Sequence, residues 1–323
     1  MTIPKMMRAA AIDGFGGAEN LRLRELPVPT VGADEVLIKV EVAGVGVWDA
    51  AERAGSMAAM FPANAKVFPR VLGGDGAGTV AAVGGNVAGF TVGDKVYGFG
   101  FFNPKGGFYA EYIALSANQV ALLPSNLDMR QAGALAVTGV TALRGLADTL
   151  DVQASQRLLI FGASGGVGLP AVQLAKAMNA KVLAVVTGTE GAALARSAGA
   201  DKVVNSKEEN LGDAIAAFAP DGLDGVLAVV NGAGLDTAIA AIKTGGRVAF
   251  PRGVQPEPKG RAGVESVGFD GVPDRQVLDK LNKLIESRPF TVHIFESFAL
   301  ADAADAHRAL SGHHLGRMIL KIE

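Results

Sequence analysis

Gly162-Ala163-Ser164-Gly165-Gly166-Val167-Gly168 follows the apolar run Leu158-Leu159-Ile160-Phe161 and leads into the helix formers Ala171-Val172-Gln173-Leu174-Ala175-Lys176-Ala177-Met178. A strand, a glycine turn and a helix start, in that order, suit a dinucleotide pyrophosphate. Gly165 and Gly166 let the backbone approach the phosphates, Gly168 lets the helix pack tightly on the sheet, and the helix N-terminus presents N–H donors to the anion. The spacing is GxxGGxG rather than GxGxxG, so the motif takes its weight from its surroundings. Pro170 is compatible with the first turn of a helix, where its missing N–H would have no partner anyway.

Those surroundings alternate. Lys181-Val182-Leu183-Ala184-Val185-Val186 reads as a buried strand, and it is followed by helix near 190–198, strand 202–205, helix near 211–219, strand 223–230, helix near 235–243 and strand 247–250. Strands alternating with helices imply a doubly wound parallel sheet, and hence a nucleotide-binding domain.

The first third of the chain differs. Short strand-like segments at 8–12, 21–26, 35–42, 79–83, 95–97, 109–115 and 120–123 are separated by turns such as Pro27-Val28-Pro29, Gly84-Gly85-Asn86 and Gly93-Asp94, which predicts a β-rich domain. After Pro124 the pattern turns helical, with Asn126 or Asp128 as cap of a long run over 129–150. The domain change is therefore placed near 124. A Pro/Gly-rich stretch at 251–263 reads as a surface loop, 274–288 as an amphipathic helix, 300–310 as a last helix, and 317–322 as a strand returning to the β-rich domain.

Composition narrows the chemistry. The chain has no cysteine, which removes thiol nucleophiles, disulfides and sulfur ligands; its four histidines, His293, His307, His313 and His314, all lie late in the chain. The His313-His314 pair reads as a solvated turn, so a metal-free protein is expected. A formal charge of −2 with no basic block gives nucleic acid and anionic membrane no electrostatic footprint. No apolar run approaches the ~18 residues of a membrane span, and Met1 to Arg8 leads into no continuous apolar segment, so the expectation is a cytoplasmic protein with a small-molecule partner.

Five segments in order, Gly44-Val45-Gly46-Val47-Trp48-Asp49, Val71-Leu72-Gly73-Gly74-Asp75-Gly76-Ala77-Gly78-Thr79-Val80, Phe90-Thr91-Val92-Gly93-Asp94-Lys95-Val96-Tyr97, Thr138-Gly139-Val140-Thr141-Ala142 and the 162–168 turn, resemble the medium-chain dehydrogenase/reductase superfamily, in its zinc-free quinone oxidoreductase branch. The resemblance spans almost the whole chain. It implies an α/β protein with a GroES-like β-rich catalytic domain at 1–124, completed by 269–323, and a Rossmann NAD(P)-binding domain at 125–268. It also implies a homodimer.

In the zinc alcohol dehydrogenases of that superfamily a Cys, a His and a second Cys hold the catalytic metal, and the matching positions here are Gly46, Gly74 and Val137. None of these side chains is a ligand. Reducing a simple ketone places charge on one oxygen and calls for a Lewis acid, whereas a quinone or an α,β-unsaturated carbonyl spreads that charge itself. The resemblance thus implies a zinc-independent NAD(P)H-dependent reductase of quinones or activated alkenes. Two other readings stay open: an enoyl or enone reductase with little quinone activity, and a catalytically weak NADPH-binding protein serving redox sensing.

Carried over residue by residue, Gly162, Ala163, Ser164, Gly165, Gly166, Val167 and Gly168 face the pyrophosphate, Thr138 the nicotinamide ribose or carboxamide, and Asn231, Gly232 and Phe250 line the cofactor. Gly46, Trp48, Met57 and Tyr97 form the substrate pocket, with a buried packing role equally open for Trp48 and a core position for Tyr97. Many relatives have Asn at the Gly46 position and Tyr at the Met57 position, which makes this pocket less polar. Asp49 and Asp75 resemble family positions and read as turn or scaffold residues, and neither is assigned as a general base. Beyond Val186 no acidic residue stands where it would bond a ribose 2′-hydroxyl, which favours NADPH with NADH still possible. Thr187, Thr189 and Ser206 are then expected around the phosphate, with Arg196 or Lys207 as cation.

Overall fold

The computed structural model describes residues 2–60 and 67–323. By its contacts the chain divides into two units. One comprises Met1–Val137, Pro273–Asp279 and Ile294–Glu323, the other Thr138–Val272 and Lys280–His293.

The first unit is built from β1 (Met6–Ile12), β2 (Leu21–Pro27), β3 (Glu35–Val45), α1 (Val47–Ala54), β4 (Arg70–Val71), β5 (Asp75–Val83), β6 (Lys95–Phe99), β7 (Tyr112–Ser116), β8 (Val120–Leu122) and α2 (Met129–Gly133). Late in the chain β15 (Ile294–Ala299), α9 (Ala303–Ala309) and β16 (Arg317–Lys321) complete it. Its small sheet runs β2-β1-β4; its larger one runs β15-β16-β3-β5-β6-β8, with β7 also paired to β3. The long strand β3 is the hub, antiparallel to β5, β7 and β16, and its buried Val36, Ile38 and Val40 join Val80, Val96, Ile113 and Leu320 in one apolar core. Asp128 caps α2, accepting the Gln131 N–H at 2.8 Å.

The second unit carries β9 (Arg157–Phe161), α4 (Gly168–Ala177), β10 (Lys181–Val186), α5 (Thr189–Ser197), β11 (Lys202–Asn205), α6 (Leu211–Phe218), β12 (Leu223–Ala228), α7 (Leu235–Ala240), β13 (Ile242–Pro251) and β14 (Glu265–Phe269). All six strands are parallel, in the order β11-β10-β9-β12-β13-β14. That is the doubly wound order with its reversal between β9 and β12, and the crevice at such a reversal is where open α/β sheets bind ligands. Leu158, Leu159, Ile160 and Phe161 of β9 are all buried, as a parallel strand covered on both faces must be.

Two segments depart from the sequence reading. Residues 129–150 are three pieces rather than one helix: α2, α3 (Ala136–Leu143) and a π-helical turn at Arg144–Thr149. Tertiary contact breaks the run, because a methyl on Gly133 would stand 2.6 Å from Val42 Cγ1 and one on Gly145 2.7 Å from both Leu227 and Phe269. Secondly, the Pro/Gly-rich loop is followed by β14, a sixth strand that the polar segment Glu265–Phe269 does not advertise. The predicted helix at 274–288 is α8 (Arg275–Glu286). No helix among the described residues is long and apolar enough to cross a membrane.

Candidate functional site

In the second unit the glycine turn sits at the carboxyl end of β9. Gly162 adopts φ +86°, and its N–H and that of Ala163 donate to Val185 O at 3.1 and 2.9 Å, fixing the turn to the end of β10. A methyl on Gly168 would lie 2.2 Å from Gly162 O and 2.7 Å from Ala163 Cα, so only glycine lets α4 start this close to the strand. Gly165 differs: the nearest atom to a methyl there is Gly162 O at 3.6 Å, leaving its outer side open. No side chain caps α4. A tight turn, an open glycine and an uncapped helix start together fit a pyrophosphate.

Several of the other expected cofactor residues lie at or just after the ends of neighbouring strands. Gly232 faces the Phe161 ring, and Asn231 donates through Nδ2 to Pro256 O, tying the 251–263 loop to the end of β12. Asn205, a buried residue that sequence reasoning passed over, accepts through Oδ1 from Gly188 N at 3.0 Å and Lys207 N at 3.3 Å. It holds Thr187 and Thr189 beside Ser206 and Lys207. Its signal is its place at the end of β11, next to a Gly188 with φ +82°. Thr138 and Phe250 are both buried, Phe250 within the apolar core of this unit.

In the first unit, chemistry gathers where α1 begins. Asp49, third residue of the helix, reaches back to the Gly46 N–H through Oδ2 at 2.8 Å and accepts the Gly74 N–H through Oδ1 at 2.8 Å. Asp75 accepts the Val137 N–H through Oδ2 at 3.1 Å. Two buried carboxylates therefore hold the backbone at all three positions that match the superfamily's metal ligands. Arg317 joins them, donating to Asp75 Oδ1 at 2.8 Å and to the carbonyls of Ala134 and Val45 at 3.0 Å each.

Trp48 occupies the space beside two of these positions, Gly46 and Gly74. A methyl on Gly46 would stand 2.3 Å from its Cζ2 and one on Gly74 2.8 Å from its Nε1. The Arg317 guanidinium lies 4.7 Å from the ring centroid, a cation–π contact. The indole is half-buried, and its Nε1 is enclosed without a partner among the described residues. Met57 is also half-buried, whereas Tyr97 is fully enclosed in the middle of β6. Among the described residues no group of three or more His, Cys, Asp or Glu could hold a metal ion.

Burial raises the Asp49 carboxyl well above its usual range, with the Asp75 charge adding to it and Arg317 opposing. Burial raises Asp75 too, and Arg317 offsets part of that. Tyr109, raised well above 10 by burial and then by the Asp49 charge, stays a neutral phenol; its hydroxyl lies 3.2 Å from His307 Nε2. His307 is lowered to about 3 by burial and the nearby Arg53 charge. These groups brace the backbone and face inward, so they are poorly placed as a general acid or base for a substrate.

Two family models match the chain: "Alcohol dehydrogenase GroES-like domain" over residues 32–125 and "Zinc-binding dehydrogenase" over residues 166–258. The quinone oxidoreductase of Rattus norvegicus is 33% identical over 330 residues, covering 98% of this chain and 98% of that protein. The chloroplastic NADPH-dependent alkenal/one oxidoreductase of Arabidopsis thaliana is 35% identical over 323 residues, covering 97% of this chain and 78% of that protein. Among solved structures, the quinone oxidoreductase from Coxiella burnetii superposes with a TM-score of 0.82 at 28% identity, covering 99% of this chain and 100% of that one.

Proposed function

The chain belongs to the medium-chain dehydrogenase/reductase superfamily, in its quinone oxidoreductase branch, and from that premise we propose that it is an NADPH-dependent, zinc-independent reductase of quinones or α,β-unsaturated carbonyls. One observation carries the choice of acceptor: the three positions matching the metal ligands are Gly46, Gly74 and Val137, and the Trp48 ring fills the space a side chain would use at Gly46 and Gly74. No side chain there can polarise a ketone oxygen through a metal, so the acceptor has to delocalise its own charge.

The second unit is assigned the cofactor. Gly162–Gly168 and the start of α4 take the pyrophosphate, Thr138, Asn231, Gly232 and Phe250 its nicotinamide half, and Thr187, Thr189, Ser206 and Lys207 a 2′-phosphate. When bound, the dihydronicotinamide supplies a hydride from C4, two electrons with one hydrogen, while water supplies the proton that completes the saturated carbonyl or hydroquinone. Gly46, Trp48 and Met57 are assigned to the acceptor. Tyr97, enclosed in the core, is assigned to packing. The absence of a polar side chain at Gly46 and Met57 also supports a reading in which alkenes are reduced well and quinones poorly.

A cytoplasmic location and a homodimer are part of the proposal, the homodimer supported by β14, which pairs only with β13 among the described residues and leaves an edge for a second copy. Sedimentation at the mass of one chain would refute the homodimer.

Single turnover with C4-deuterated NADPH, and separately NADH, against a benzoquinone and an aryl enone tests the function. Deuterium on the alkene β-carbon, or oxidation of NADPH with stoichiometric hydroquinone, is expected. Oxidation of neither cofactor by either acceptor would overturn the reading.

A further inference from the structure

Helix α1 is inside out. The only side chains it buries fully are the acids Asp49 and Glu52, the latter ion-paired with buried Arg70. Val47 is 60% exposed, and Trp48, Ala50 and Ala51 are half-buried. The helix turns two acids fully to the protein while Val47 points outward and its other apolar residues are covered only in part, against the usual arrangement. Charge partners explain the inward half. Among the described residues, Val47 keeps most of its side chain uncovered.

Polar groups beside the ring are already engaged. The N–H groups of Gly46 and Gly74 are bonded to Asp49, that of Val137 to Asp75, and three nitrogens of Arg317 to Asp75, Ala134 and Val45. What this side of the unit can offer an acceptor is therefore apolar and aromatic surface. Its aromatic piece is the indole, held by glycine backbone and by a guanidinium that cannot move without breaking buried bonds.

We infer that Trp48 is the specificity-determining residue for the acceptor, and that it selects molecules with an extended flat ring system, such as naphthoquinones and aryl enones, over compact aliphatic enones. The inference rests on the proposed reductase function and deepens it. A rigid indole contributes contact with another π system at little entropic cost, and such pairs gain beyond their buried area. A compact enone covers little of the ring and gains little from it.

Trp48 is the only tryptophan, so binding can be read without turnover. The test compares kcat/KM for 2-methyl-1,4-naphthoquinone and methyl vinyl ketone in the wild type, Trp48→Phe and Trp48→Ala, together with quenching of wild-type fluorescence lifetime and intensity by the naphthoquinone without cofactor. The expected result is a preference for the naphthoquinone that falls about tenfold in Trp48→Ala, mainly through KM, and is largely restored in Trp48→Phe. Quenching should be saturable and static, with an unchanged lifetime. Equal preference in all three proteins, or purely collisional quenching, would overturn the inference. If Trp48→Ala does not fold, Trp48→Phe and the quenching decide it. If the wild type oxidises NADPH with neither acceptor, the proposed function falls and the quenching alone judges Trp48: static saturation upholds the aromatic site, its absence rejects it.

Discussion

Arg317 Nη2 lies 2.8 Å from Asp75 Oδ1, and the two side chains are 3% and 0% exposed. A buried ion pair is no net gain over an apolar pair, but removing one partner strands the other. Arg317→Met would leave the Asp75 carboxylate uncompensated and the Ala134 and Val45 carbonyls without their donor. We expect a loss of about 3–5 kcal/mol in urea unfolding followed by Trp48 fluorescence. A loss below about 1 kcal/mol would show that the pair does not brace this unit.

Gly165 and Gly168 should respond differently to the same substitution. Gly165→Ala meets no atom nearer than 3.6 Å, so its melting temperature should match the wild type while NADPH affinity drops at least tenfold. Gly168→Ala forces a methyl to 2.2 Å from Gly162 O and should lower the melting temperature of the second unit as well as the affinity. Tight NADPH binding by Gly165→Ala would place the pyrophosphate elsewhere.

Thr187 follows β10 where an acidic residue would bond a ribose 2′-hydroxyl and repel a 2′-phosphate. Thr187→Asp should therefore shift the NADPH to NADH ratio of kcat/KM by tenfold or more toward NADH. An unchanged ratio would remove this turn from cofactor choice.

His307 supplies a pH signature. Its pKa falls from 6.5 when unfolded to about 3 when folded, so between these values the unfolded chain binds the extra proton. Its contribution to stability is complete above pH 6.5 and is lost as pH falls toward 3. Replacing it by Gln removes this dependence at the expense of the Tyr109 contact. The stability difference between wild type and His307→Gln should shrink by about 3 kcal/mol from pH 6.5 to pH 4. The raised carboxyls of Asp49 and Asp75 act in the opposite direction but are common to both proteins, so the difference isolates the histidine. A pH-independent difference would mean that His307 titrates normally in the fold.

The parallel sheet was legible because buried strands and amphipathic helices write their period into local sequence, and β9 to β13 follow it. Strand β14 was not: Glu265 is exposed and Ser266, Val267 and Gly268 are only half-buried, so an edge strand shows no apolar run. The helical composition of 129–150 hid its breaks, since they arise from contacts of Gly133 and Gly145 with distant residues. At the site, the glycine turn could be read from its glycines only together with the apolar strand before it and the helix formers after it. The fit of Trp48 over Gly46 and Gly74 could not, although a lone tryptophan between two glycines was visible. Arg317 left no local trace at all, because its partners Asp75 and Ala134 lie far away in sequence.

The Asp75–Arg317 pair spans 242 residues, and this has a consequence for biosynthesis. Every segment of the second unit leaves the ribosome before β15 and β16 do, so that unit can fold while the first still lacks two strands of its larger sheet. Domains usually fold in the order they are made. Here the earliest residues wait longest: β3 keeps an open edge, Asp75 has no counter-charge and the indole has no guanidinium beneath it until residue 317 arrives, which makes the nascent β-rich unit the stage of synthesis most in need of chaperone cover.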